Sequence, residues 1–85
     1  MAAPELRLIL TSCGPDQAQA IADVLVEGRT AACVSIVPGV LSTYRWQGAV
    51  ERDAESLLLI KVPEAAVQRC VEALIAAHPY DVPEV

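Results

Sequence analysis

Residues 31–46, Ala-Ala-Cys-Val-Ser-Ile-Val-Pro-Gly-Val-Leu-Ser-Thr-Tyr-Arg-Trp, constrain this chain more than any other stretch. They read as one long strand bent at Pro38-Gly39, closed by a Gln47-Gly48 turn and answered by a second strand running to Lys61. A hairpin of that length cannot bury its tip within a chain of 85 residues. The tip either projects into solvent or meets another subunit. Its apolar and aromatic residues, Val40, Leu41, Tyr44 and Trp46, favour a subunit.

Chain length points the same way. A single domain of this size, residues 1–85, buries only roughly 60–65% of the surface its unfolded form exposes, so association adds stability that the core alone supplies poorly. Hydrophobic residues make up 54% of the chain, yet no uncharged apolar run approaches the ~18 residues of a membrane span. Glu5 and Arg7 interrupt any apolar signal core near the start. The expectation is a cytoplasmic protein with no membrane partner. A net charge of −5 and six scattered Lys and Arg residues argue against nucleic acid, which requires a basic stripe. Three cysteines without C-x-x-C spacing fit reduced thiols better than a disulfide framework.

Local patterning gives the order β-α-β-β-α-β. Leu6–Leu10 reads as a first strand, followed by a helix that Asp16 caps and Gly28 stops, with Ala18, Ile21, Ala22 and Leu25 on its inner face. Cys33–Trp46 and Ala49–Lys61 are the second and third strands; Leu57–Ile60, apolar on both faces, reads as buried between neighbours. Pro63 opens a second helix with Val67, Cys70, Val71, Leu74 and Ile75 facing inward, and His78-Pro79 ends it. Tyr80–Val85 begins a fourth strand. Right-handed crossovers then give an α+β fold with a four-stranded antiparallel sheet ordered 4-1-3-2 and both helices on one face.

Five blocks in this order carry a resemblance: Ala31-Ala32-Cys33, Ile36–Val40, Tyr44–Gly48, Leu58–Lys61 and His78–Glu84. Together they closely resemble the CutA family of divalent-cation tolerance proteins. The resemblance implies a ferredoxin-like fold assembled as a homotrimer, in which long hairpins pair with neighbouring subunits much as in PII signalling proteins. It also implies a role in the response to metal ions, with copper the usual proposal. The family pattern runs on past Val85, so the natural chain is expected to continue.

Candidate ligands follow. Soft cations such as copper take thiolate and imidazole. The strand order puts Cys13 and His78 at one end of the sheet and Cys33 at the other, about 23 Å away. A single Cys13–Cys33–His78 site is therefore implausible. The copper site proposed for the family uses a cysteine near the end of strand 1 and a His-His pair; here Ala77 replaces the first histidine. Cys13 and His78 are the candidate metal residues, against the alternative of a buried thiol and a histidine satisfying the last helical carbonyls. Cys33 and Cys70 read as core. Glu51, Asp53 and Glu55 read as a solvated strand face.

Nucleophile elbows, phosphate loops and metalloprotease motifs are absent from the sequence, so it reads as a non-enzyme. Tyr44, Trp46, Lys61 and Tyr80 are the expected interface or cleft residues, with Lys61 or Arg45 supplying charge for an anion. Two alternatives stay open: a PII-like module binding a small ligand in inter-subunit clefts, and a ligand-free structural trimer.

Overall fold

The computed structural model describes residues 5–85. Strand β1 (Leu6–Cys13) leads into helix α1 (Ala18–Glu27), then β2 (Cys33–Trp46) and β3 (Ala49–Pro63), a short 3-10 turn at Glu64–Ala66, and helix α2 (Val67–Ala77). Alternation along β1 sorts its side chains: Ile9, Thr11 and Cys13 face the helices and are buried, while Leu6, Leu8 and Leu10 stay open at 56, 59 and 45% exposure. Leu58, Ile60 and Val62 from β3 meet Ile21 and Leu25 of α1 and Cys70 and Leu74 of α2 in one core. Both helices therefore cover the same face of the sheet.

The sheet has three strands in the order β1-β3-β2, all pairs antiparallel. The expected fourth strand does not form. Tyr80–Val85 joins no ladder, and its ties to the sheet are side-chain bonds: Thr11 Oγ1 donates to the Glu84 carbonyl at 2.6 Å and the Tyr80 hydroxyl donates to Glu55 of β3. Proline explains part of this: Pro83, within the segment, has no N–H to give to a ladder. The outer edges of β1 and β2 are consequently unpaired among the described residues.

The long hairpin forms as expected. Gln47 and Gly48 both take positive φ, 50° and 82°, the two-residue turn that matches strand twist, and Trp46 pairs with Ala49. Register shifts between Val37 and Val40, so Pro38 and Gly39 together face one residue of β3; Gly39 sits at φ 76°. The arm beyond this bulge leaves the body. The molecule measures 50 × 21 × 20 Å, and its radius of gyration of 13.6 Å exceeds the about 12 Å of a compact chain this long.

Several local expectations need correction. Asp16 does not cap α1; Gln17 holds the cap position without a side-chain bond, after a turn closed by its own N–H on the Gly14 carbonyl. Gly28 ends α1 at φ −76°, not in the left-handed region, which Arg29 occupies instead at φ 62°. Pro63 closes β3, and the 3-10 turn precedes α2. Ile75 is 51% exposed, so only Cys70 and Leu74, with Val67 and Val71 behind them, form the inner face of α2. Leu57 and Leu59 are half-buried, because helices cover just one side of β3.

Candidate functional site

A cavity opens where the arm leaves the body, lined from Ser12 at the end of β1 along the arm as far as Trp46 beside the turn, with the segment after α2 as its other wall. It measures about 740 Å³. Tyr44 and Trp46 contribute from β2, Asp53 and Glu55 from β3, and Tyr80 and Asp81 from the crossing segment. The bulge at Pro38-Gly39 sets this geometry: it turns the distal arm so that Ser42 and Tyr44 lie opposite Asp53 and Glu51.

Two phenols hold two carboxylates here. The Tyr44 hydroxyl donates to Asp53, and the Tyr80 hydroxyl donates to Oε2 of Glu55 at 2.6 Å. The bond to Asp53, followed by weaker burial and the neighbouring acids, pushes the Tyr44 phenol up to about 12. Burial, then the bond to Glu55 and its charge, raises Tyr80 as well. Both phenols are neutral donors throughout the physiological range. Glu55 is 5% exposed, which corrects its reading as part of a solvated face; Glu51 and Asp53 are exposed.

His78 ends α2, its N–H donating to the Leu74 carbonyl at 2.9 Å. Its ring does not satisfy the last helical carbonyls. Instead Nε2 lies 2.8 Å from the Ser12 carbonyl, and Nδ1 accepts the Tyr80 N–H at 3.2 Å. A carbonyl only accepts, so Nε2 carries the proton and both ring nitrogens are committed. The Tyr80 ring meets the imidazole edge-on at 4.7 Å between centroids.

Cys13 lies beside this junction, fully buried on the helix side of β1. Burial, then the Glu55 charge, pushes its thiol up, whereas the thiolate is the metal ligand. Within one chain, then, the pair offers one imidazole with both nitrogens already bonded and one free but fully buried thiol, and no group of three His, Cys, Asp or Glu side chains among the described residues is placed to hold a metal ion. The fold as it stands does not fit copper at this pair.

Lys61 stands apart from the other cleft residues. It projects from the helix-free sheet face, its Nζ 3.1 Å from Ser35 Oγ and 3.8 Å from Cys33 Sγ. Cys33 is therefore exposed beside a lysine and not in the core, because it begins an edge strand on the uncovered face. Cys70 is buried as expected. Register carries the Cys33 separation: Cys13 pairs with Ser56 and Cys33 with Lys61, five positions along β3 or about 17 Å.

The sequence profile described as "CutA1 divalent ion tolerance protein" matches residues 7–85. The divalent-cation tolerance protein CutA of Thermus thermophilus is 49% identical over 78 residues, spanning 92% of this chain and 76% of that one. Its solved structure superposes with a TM-score of 0.87 over 94% of this chain and 79% of that chain, at 47% identity. The chloroplastic CutA protein of Arabidopsis thaliana is 39% identical across 96% of this chain, which spans 45% of that longer relative. A structure described as the PII-like protein CutA from Nostoc, in apo form, matches with a TM-score of 0.86 at 38% identity, over 91% of this chain and 73% of that one.

Proposed function

The chain belongs to the CutA1 divalent ion tolerance family, and from that premise we propose that it works as a homotrimer in the response to divalent cations, with a PII-like small-ligand cleft at the root of each arm. One observation carries the reading: the arm projects from the body with its aromatic tip and strand edges unsatisfied. Trp46 and Val50 are 46 and 47% exposed near the turn, and Leu41 is 83% exposed at mid-arm. Exposed strand edges and apolar side chains on a 50 Å molecule are an aggregation hazard unless a partner of fixed geometry covers them. A second copy does so: edge pairs with edge, and the arm root closes against a neighbour.

The open sheet face supports the same assembly. Leu6, Leu8, Leu10 and Val37 present an apolar surface that no helix covers. Burying such a side chain is worth about 1.5–3 kcal/mol. The protein acts by binding and assembly rather than by catalysis. Copper or another divalent metal is the effector this reading expects, with ligands drawn from more than one subunit, since within one chain Cys13 is buried and both ring nitrogens of His78 are already bonded. Its working location is the cytoplasm, a reducing compartment that suits three free thiols.

Hydrogen exchange along the arm tests the reading. Edge amides of residues 40–46 are expected to exchange slowly in concentrated protein and quickly after dilution below the assembly threshold. Fast exchange at every concentration would remove the neighbour from the account.

A further inference from the structure

We propose that the arm-root cavity selects an organic ammonium ion, a singly charged amine with an apolar skin, in preference to an anion or a bare metal ion. The inference takes from the preceding reading only that this cavity is a ligand cleft, and it names the ligand's chemistry.

Charge excludes the anion first. Asp53, Glu55, Asp81 and Glu84 line the cavity against the single guanidinium of Arg45. The two phenols that would otherwise donate to an anion already spend their protons on Asp53 and Glu55. Lys61, the expected anion partner, lies away on the sheet face with Ser35. A phosphate or nucleotide would meet net negative charge with its best donors taken.

A bare divalent ion is disfavoured for a different reason. Hard cations need several oxygens converging at a short, fixed distance, and the described carboxylates do not converge in that way. They are spread around walls that also carry Tyr44, Trp46 and Tyr80. Aromatic faces attract a diffuse cation and exclude the water that a compact one keeps, which is how aromatic cages bind quaternary ammonium groups.

Glu55 supplies the independent observation. It is 5% exposed and lines the cavity, its Oε2 takes the Tyr80 hydroxyl, and no donor among the described residues reaches its Oε1. A nearly buried carboxylate whose hydrogen bond comes from a neutral phenol, and which forms no ion pair among the described residues, is short of a cationic partner, and the cavity it lines is open to one. The ring of Tyr80, fixed by its bond to Glu55 and its contact with His78, stands beside it.

Choline, its uncharged carbon isostere dimethylbutanol, inorganic phosphate and copper(II) are the probes, each titrated calorimetrically into the reduced full chain with the mass measured on the same samples. Choline is expected to bind about tenfold or more tightly than dimethylbutanol, as the cation–aromatic and carboxylate terms require. Asp53→Asn, which keeps size and exposure, is expected to lower choline affinity about tenfold, and Trp46→Ala at least as much. Equal binding of the isostere, displacement of choline by phosphate, unchanged affinity in Asp53→Asn, or no choline binding at millimolar concentration would overturn the proposal. So would copper(II) displacing choline equally in the wild type and Trp46→Ala, the mark of a bare-cation site. A trimer that ignores choline defeats this inference alone; a monomer that binds it selectively defeats the assembly reading alone.

Discussion

Nε2 of His78 lies 2.8 Å from the main-chain oxygen of Ser12, stitching the end of α2 to the end of β1 across 66 residues of sequence. With Nδ1 taking the Tyr80 N–H, the imidazole fixes where the final segment leaves the body, and therefore where the floor of the arm-root cavity lies.

His78→Ala strands the Ser12 carbonyl and the Tyr80 N–H at once. The expected loss is about 1–3 kcal/mol of unfolding free energy, read from denaturant midpoints. Nitrogen NMR of the wild type is expected to show the Nε2-protonated tautomer. A substitution that costs nothing would mean the ring is not a tie.

Alkaline titration separates the tyrosines from free phenol. Both have folded values above the ordinary 10, Tyr44 at about 12. A raised folded value means the neutral phenol is favoured in the native state. The stability it contributes is fully present below pH 10 and is lost as pH climbs through the folded values. The buried thiols of Cys13 and Cys70, raised from 9.0, act with the same sign and begin to withdraw stability above about pH 9. Phenolate absorbance should therefore rise late, and Asp53→Asn should move the Tyr44 step back toward 10. A wild-type Tyr44 step already at 10 would deny the Asp53 bond.

Gly28→Ala tests a close approach rather than a backbone angle. At φ −76° any residue is comfortable, but a Cβ at Gly28 would stand 2.7 Å from the Val24 carbonyl oxygen. The last turn of α1 would have to shift, at an expected cost of about 1–3 kcal/mol in thermal or denaturant unfolding. No loss would show that the turn gives way freely.

The element order was legible because it rests on local signals. Apolar periodicity marks α1 and α2, Gln47-Gly48 marks the hairpin turn, and Pro38-Gly39 marks the bulge, each within a few residues. What escaped depends on distant partners. Glu55 looks like its exposed neighbours Glu51 and Asp53 until Tyr80, 25 residues on, packs over it. Cys33 sits in an apolar pattern, yet the face it occupies has no helix above it. The fourth strand did not form, Pro83 bringing no N–H to a ladder, and side-chain bonds to Thr11 and Glu55 hold the segment instead. Tyr44, Trp46 and Tyr80 were readable as a group, whereas the separation of Lys61 from them follows from strand register.

Trp46 is the aromatic closest to the arm turn and is 46% exposed in the isolated chain. Truncating it to alanine removes apolar area from the surface assigned to a neighbour. Assembly is expected to weaken by at least about tenfold in dissociation constant, since large aromatic side chains carry an outsized share of interface energy. Its unfolding as a dilute single chain should change little. An unchanged assembly with unchanged melting would place Trp46 outside the interface.

Sedimentation equilibrium of the reduced, metal-free protein reads the assembly itself. A single species three times the 9.0 kDa chain mass is expected, dissociating only on dilution. A species of 9.0 kDa that persists at high concentration would contradict it, because the arm would then be stable with its edges and aromatic tip uncovered.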